Sequence, residues 1–275
     1  MNNLAKVIAL GGRRLNKALA MHYLFGEQGK PKEYVQDSLI MRLDGILNTR
    51  KGHNSEATVW EDLIGDVNFT KTSNFSFGDN CILVTYRINS DNTIVVPDEF
   101  TMEVIYQYGG SDLHTIGFSG RFPFFKGRRD LDSPWWLRAT NDWKKGLRYT
   151  ESFGINATHS IALTQNSEGG KCYHNGVLSA SDSNVVTYSS EQELRNHDNN
   201  GEILTGKIFA IRLYKRALTD EELMQNYKVD QARFGLTETA SVMMLGMPAD
   251  ETSSTVYEEE QTIIDELEVT EDDTI

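Results

Sequence analysis

The sequence predicts an all-β fold, an antiparallel jelly-roll β-sandwich, and strand periodicity is the first reason. Apolar and polar residues alternate from Ile82 to Ile88 and from Phe100 to Tyr108, which is the pattern of a strand with one buried face. Half-polar strands are typical of antiparallel sheets, because parallel strands buried on both faces are apolar throughout. The second reason is Asn175-Gly176 between two apolar runs, the dipeptide preferred in a type I′ hairpin turn.

The stretch from residue 206 to residue 235 predicts a strand and then a short helix near the end of the domain. Residues 209–213 alternate as a half-buried strand does. Thr219 and Glu222 have the spacing of a capping box, which marks where a helix begins. Gly235 stands where such a helix is expected to end.

Charge and composition divide the chain into three predicted parts, residues 1–32, 33–236 and 237–275. The first part is basic and has apolar residues at helical spacing, so we expect a helical arm. The last part has 12 acidic residues and no Lys or Arg, which indicates an acidic tail. The whole chain has a net charge of −13, and residues 1–235 alone have a net charge of about −1. This is not the basic profile of a nucleic-acid-binding protein.

The expectations about location and partners are based on the two ends of the chain. Gly11 to Arg14 interrupts the early apolar stretch, so we expect no signal peptide and synthesis in the cytoplasm. No run approaches the ~20 apolar residues of a membrane span, which predicts no membrane insertion. Neither end has the apolar content to fold alone, so arm and tail are expected to bind neighbouring chains in a homo-oligomer or larger assembly, with packing of the arm on the sandwich as the alternative.

An aromatic and basic segment, residues 118–143, is the predicted binding site. It carries seven Phe and Trp residues with Arg and Lys beside them, and sugar rings need aromatic faces with polar donors nearby. The predicted glycan contacts are Trp135, Trp136, Arg138 and Trp143. A protein core or a subunit interface is the alternative, since both are also rich in aromatic residues. Successive strand residues lie on opposite faces, so one of Trp135 and Trp136 is expected outside the core.

Three stretches, residues 38–65, 159–178 and 206–235, together resemble laminin-G-like domains of the concanavalin A-like lectin/glucanase superfamily. They are similar to the first strand with its Trp-x-Asp-Leu-x-Gly element, to the late Tyr-x-Asn-Gly-Val hairpin, and to the closing strand and helix of those domains. The resemblance extends over residues 33–235 and implies the same β-sandwich. It says little about chemistry, because this fold serves binding and catalysis alike.

The resemblance also leads to expectations about catalysis and cofactors. Glucanases of this superfamily carry a Glu-x-Asp-x-x-Glu or Glu-x-Asp-x-Glu run, and this sequence has none. We therefore expect no enzyme and no catalytic residue, with a carboxylate pair assembled from distant loops as the alternative. We expect no cofactor, although laminin-G-like domains often hold calcium on loop oxygens, and the metal ligands stay unassigned. Cys81 and Cys172 fit no metal framework, and whether they pair is open.

The function implied by the resemblance is attachment. Similar domains occur in tailed-phage virion components, and a lectin-like domain without an export signal would leave the cell within a virion. The resemblance thus predicts a phage virion protein that displays its sandwich to glycans or host surfaces. A head fibre, a capsid decoration and a tail or baseplate component all fit. The alternatives are a glycan-active enzyme of the glucanase branch and a bacterial cell-surface carbohydrate-binding module.

Overall fold

The structure is a computed structural model that describes most of the predicted sandwich. The described residues are 33–109, 113–118, 124–128, 135–138, 147–149, 157–185, 187, 191–197 and 203–236. At 113–115, 124–128, 135–138 and 147–149 the description is of the backbone alone. The predicted arm (1–32) and tail (237–275) lie outside the described residues, so both stay predictions.

The described chain forms sixteen strands and one helix, which confirms the predicted all-β class with a short helix near the end of the domain. Their bounds are β1 Leu39–Asp44, β2 Val59–Trp60, β3 Phe69–Thr70, β4 Phe75–Phe77, β5 Ile82–Val84, β6 Asn89–Val95, β7 Phe100–Tyr108, β8 Leu113–Phe118, β9 Phe124–Arg128, β10 Trp135–Arg138, β11 Leu147–Tyr149, β12 Thr158–Asn166, β13 Gly169–His174, β14 Val177–Asp182, β15 Glu191–Arg195, β16 Gly206–Tyr214 and α1 Asp220–Phe234.

Two antiparallel sheets make the sandwich. The eight-stranded sheet has the order β14-β13-β12-β7-β16-β5-β4, and β1 also pairs with β16. The six-stranded sheet has the order β11-β10-β9-β8-β15-β6, and β2 and β3 form a separate small ribbon. β7 lies in the middle of this sheet and is covered on both faces, so eight of its nine residues are buried.

The main core lies between the two sheets. Met102, Val104 and Tyr106 of β7 and Ile211 and Leu213 of β16 are at most 1% exposed there. From the six-stranded sheet, alternate residues of β8 and β15 enter the same core and are likewise buried, namely Ile116, Phe118 and Leu194. Such alternation is what the period of two in the sequence predicts.

Helix α1 lies on the outer face of the eight-stranded sheet. Its apolar residues Leu223, Tyr227 and Phe234 cluster with residues of that face such as Ala162 and Phe209. The capping box is present, since Thr219 Oγ1 accepts from Glu222 N at 3.3 Å and Glu222 Oε2 accepts from Thr219 N at 2.9 Å. A left-handed Gly235 (φ 67°) closes the helix as expected.

Other local predictions have mixed outcomes. Asn175 (φ 51°) and Gly176 (φ 78°) both have positive φ, so the β13–β14 connection is the predicted type I′ turn. The prediction of one continuous strand from Ile82 to Ile88 was wrong, because β5 ends at Val84 and β6 begins at Asn89. Cys81 and Cys172, whose pairing was open, are both free and buried.

Candidate functional site

The two sheets differ in what covers their outer faces. The outer face of the eight-stranded sheet lies under α1 and the segment 34–36 that leads into β1. On the six-stranded sheet, outer-face residues of β6 and β15 such as Asn89, Thr93 and Glu191 are exposed. The outer face of the six-stranded sheet therefore has no helix over it among the described residues, and it offers a surface for a large ligand.

Strand register identifies which residues of β8–β11 belong to the core side. Ile116 is buried in the main core, and it pairs with Phe125. Phe125 pairs with Leu137, which pairs with Leu147 on the edge strand. Directly paired residues of antiparallel strands share a face, so these four form one row on the core side of the sheet.

The residues between them in sequence form the opposite, outer face. Thr115 pairs with Lys126, Lys126 pairs with Trp136, and Trp136 pairs with Arg148. Four neighbouring strands at about 4.8 Å spacing make this row about 14 Å long. Arg138 lies two residues beyond Trp136 on the same face.

The charged residues of these four strands are all basic, and they all lie on the outer face. β8 to β11 contain four Lys and Arg residues and no Asp or Glu. Register places all four on the outer face, and we call this set with Trp136 the basic face: Lys126, Arg128, Trp136, Arg138 and Arg148. The core-side positions of the same strands are mainly aromatic and aliphatic: Ile116, Phe118, Phe125, Trp135, Leu137, Leu147 and Tyr149.

The four predicted glycan contacts are distributed as follows. Trp136 and Arg138 belong to the basic face. Trp135 pairs with Tyr149 and shares the side of Leu137, which is the core side. Trp143 lies outside the described residues. The predicted segment 118–143 contains Lys126 but did not assign it as a contact, and Arg148 lies beyond the segment. Their alternation with apolar neighbours on short strands was a usable signal.

A buried ionic network holds α1 and β16 together on the opposite side of the sandwich. Arg212 is fully buried, and its Nε donates to Glu103 Oε2 at 2.7 Å. Its two terminal nitrogens donate to both carboxylate oxygens of Asp230 at 2.9 and 2.5 Å. Burial alone would lower the pKa of Arg212, but Asp230 and Glu103 outweigh burial and raise the pKa well above its usual value.

The start of the domain is tied to the same network. Tyr34 donates from its hydroxyl to Asp230 at 2.7 Å, and the Arg212 guanidinium lies 4.2 Å from the centre of its ring. The backbone N–H of Val35 donates to Asn226 at 2.9 Å. These groups are saturated by one another, so the network is structural and offers no site for a ligand.

Two loop carboxylates that could serve as calcium ligands, Asp44 and Asp62, are engaged by donors. Asp44 accepts from Arg233 and Arg42 and from the backbone N–H groups of Ile46 and Leu47. Burial raises the pKa of Asp44, but Arg233 and the other donors outweigh burial and lower it. Asp62 likewise accepts from three backbone N–H groups. Within the described ranges no three His, Cys, Asp or Glu side chains are placed to hold a metal, and calcium stays a prediction.

A histidine pair and a cavity are two further candidate sites in the described chain. His159 Nδ1 lies 3.2 Å from His174 Nε2, and burial together with His159 lowers the pKa of His174 to about 3. An open cavity of about 410 Å³ lies beside the start of α1, lined among others by Thr164, Lys171 and Asp182. Its Lys171 already faces Asp220 at 3.7 Å, so the cavity lacks the one-sided charge of the basic face.

Comparisons with known proteins bear on the fold. No protein-family model and no curated protein sequence matches the chain. Solved structures do match, among them Trypanosoma rangeli sialidase (TM-score 0.55, 15% identity, 77% of this chain and 35% of that chain). The same sialidase in complex with sialic acid matches with a TM-score of 0.54 and 16% identity over 77% of this chain and 36% of that chain.

A match of TM-score 0.48 is to the ligand binding domain of botulinum neurotoxin serotype D in complex with N-acetylneuraminic acid, with 17% identity over 70% of this chain and 51% of that chain. The chain spans about a third of the length of the sialidases it matches. At the identity of the sialidase matches the shared feature is the fold, a β-sandwich, which confirms the predicted fold class.

The expectation that the chain is not an enzyme was wrong. It rested on the missing Glu-x-Asp run, but the structures matched over three quarters of this chain are sialidases, which are enzymes. A run typical of one branch of a fold does not define the chemistry of other proteins with that fold, because function depends on the site.

In the described part of the chain, no helix has both the length and the apolar character needed to cross a membrane.

Proposed function

We propose that the chain is a glycan-binding β-sandwich and that it binds through the basic face of the six-stranded sheet. The observation that carries this proposal is the register row Lys126–Trp136–Arg148, which places a tryptophan position between two cationic positions on the outer face of the sheet. An aromatic ring offers a surface to the C–H face of a sugar, and neighbouring cations donate to its oxygens. The sialic acid complex of a sialidase that shares the fold supports a glycan as ligand.

Two adjacent tryptophans provide the test. Trp136→Ala should weaken glycan binding about two- to twelve-fold, which corresponds to a stacking contribution of about 0.5–1.5 kcal/mol. Its melting temperature should change little, because the residue belongs to the outer face. Trp135→Ala is the matched control, one residue away on the core side, and should lower the free energy of unfolding by about 3–5 kcal/mol.

The measurement is a glycan array followed by calorimetric titration of the best ligand, with thermal melts of both variants. Destabilisation by Trp136→Ala with normal folding of Trp135→Ala would reverse the face assignment. Unchanged affinity in a correctly folded Trp136→Ala would refute the binding site.

A glycan-active enzyme is the second candidate function, and the sialidase matches favour it. An activity screen on sialosides and a polysaccharide panel tests this candidate. Turnover that survives in Trp136→Ala but disappears on mutation of a carboxylate elsewhere would separate a catalytic centre from the basic face. Absence of turnover on every substrate that the protein binds would count against it.

The virion setting is also a proposal, and the resemblance of residues 38–65, 159–178 and 206–235 is its only support. In this setting the chain is made in the host cytoplasm, and the arm and tail bind other virion proteins or further copies of the chain. Mass spectrometry of purified particles tests it. A chain found only in lysate and absent from intact virions would refute it.

A further inference from the structure

The arginines of the described helix side are paired with carboxylates. On the helix side, Arg42 and Arg233 pair with Asp44, Arg212 pairs with Glu103 and Asp230, and Arg216 pairs with Asp37 and Glu222. Each of these cations has a carboxylate within 2.8 Å, so the local charge is close to balanced.

Among charged residues, the strands of the basic face have only basic ones in their sequences. β8 to β11 contribute Lys126, Arg128, Arg138 and Arg148, and their sequences contain no carboxylate. The nearest acidic position that register places on this outer face is Glu193 of β15, across β8 from β9. Cationic positions on three neighbouring strands raise the local concentration of an oppositely charged ligand.

We propose that the ligand of the basic face is an acidic glycan, a saccharide chain that carries carboxylate or sulfate groups. This inference rests on the proposed function and adds the chemical class of the ligand. The cations are distributed across three strands and along β9, where Lys126 and Arg128 are two residues apart. Such a spread of positive charge matches several anionic groups along a saccharide chain better than it matches one isolated anion. Trp136 lies within the same row and selects a sugar over a simple polyanion, because the aromatic ring of a tryptophan stacks on the C–H face of a sugar ring.

The experiment compares ligands that differ only in charge. Polysialic acid and its carboxyl-reduced form supply a carboxylate pair, and dextran sulfate and dextran supply a sulfate pair. Binding of the full chain is measured by biolayer interferometry at ~0.1 M and ~1 M salt, between which the screening length falls from about 10 to about 3 Å. We expect binding to at least one acidic member, at least tenfold weaker binding to its neutral partner, and strong weakening at high salt.

Charge-neutral variants locate the binding. Lys126→Gln, Arg138→Gln and Arg148→Gln should each weaken binding several-fold, and the pair Lys126→Gln/Arg148→Gln should weaken it by more than either change alone. Lys228→Gln is the matched control, because it makes the same change of net charge at an exposed position on α1. Thermal melts show that each variant is folded.

The outcomes separate the two levels of the proposal. Equal binding to charged and neutral partners, with no effect of salt, would overturn the acidic class and leave glycan binding standing. Binding to none of the four ligands and to no array glycan would overturn the proposed function itself. Equal binding to a DNA oligonucleotide, or equal weakening by Lys228→Gln, would show a nonspecific attraction and also overturn the inference.

Discussion

Replacing Arg212 by Met should destabilise the sandwich more than any exposed charge change. Arg212 is fully buried and makes three charge-assisted hydrogen bonds of 2.5 to 2.9 Å to Glu103 and Asp230. Methionine removes them and leaves two buried carboxylates without a counter-charge, a defect that costs about 3–5 kcal/mol.

The remaining donors set where in this range the effect lies. Glu103 keeps the amide of Asn226 at 2.9 Å, and Asp230 keeps the hydroxyl of Tyr34 at 2.7 Å. We therefore expect the lower end, about 3 kcal/mol. For a domain of this size, such a change lowers the melting temperature by about 6–12 °C.

Urea denaturation monitored by tryptophan fluorescence measures the free energy of unfolding. Arg216→Met is the control, since Arg216 pairs with Asp37 and Glu222 but its side chain is 26% exposed, and such pairs contribute about 0–1 kcal/mol. Combining Arg212→Met with Glu103→Gln and Asp230→Asn should recover part of the loss, because no buried charge then remains. A loss below about 1 kcal/mol in Arg212→Met, or a triple variant no more stable than the single one, would refute this reasoning.

Two further predictions concern pH and the start of the domain. The pKa of His174, lowered to about 3, lies below the ~6.5 of an unfolded chain, so the unfolded state binds more protons between these values and stability falls as the pH decreases from ~6.5. The free energy of unfolding, measured by urea titration across this range, should fall by up to about 1.4 kcal/mol per pH unit, and His174→Gln should reduce the slope. Equal slopes would contradict the assignment. Deleting residues 1–32 should leave the melting temperature unchanged, whereas deleting 1–35 should lower it, because Tyr34 and Val35 bind Asp230 and Asn226. Unfolding of the shorter deletion would show that the arm packs on the sandwich.

Local sequence signals predicted the features whose determinants are close in sequence. The capping box of Thr219 and Glu222, the helix end at Gly235 and the turn at Asn175-Gly176 each depend on residues within four positions of one another. The alternating pattern of β7 also gave the sheet type correctly.

The sequence could not show which alternating face is covered. Glu103 and Arg212 occupy polar positions of alternating strands, and the sequence alone indicated a wet face for such strands. Both are buried, because α1 folds back over this face and supplies Asp230 and Asn226. Partners 109 and 123 residues from Glu103 in sequence are brought together by the fold alone. The basic face depends on register in the same way, since Lys126, Trp136 and Arg148 become neighbours only through strand pairing.

The attachment of Tyr34 and Leu236 has a mechanical consequence. The chain enters the sandwich at Tyr34, bonded to Asp230 of α1, and leaves α1 at Leu236, which packs in a cluster with Phe209 and Phe234. Both points lie on the helix-covered side of the eight-stranded sheet. Tension applied to the two ends therefore acts first on α1 and the segment before β1. The six-stranded sheet lies outside this load path, so a pull on the ends can strain the helix side while the basic face keeps its geometry.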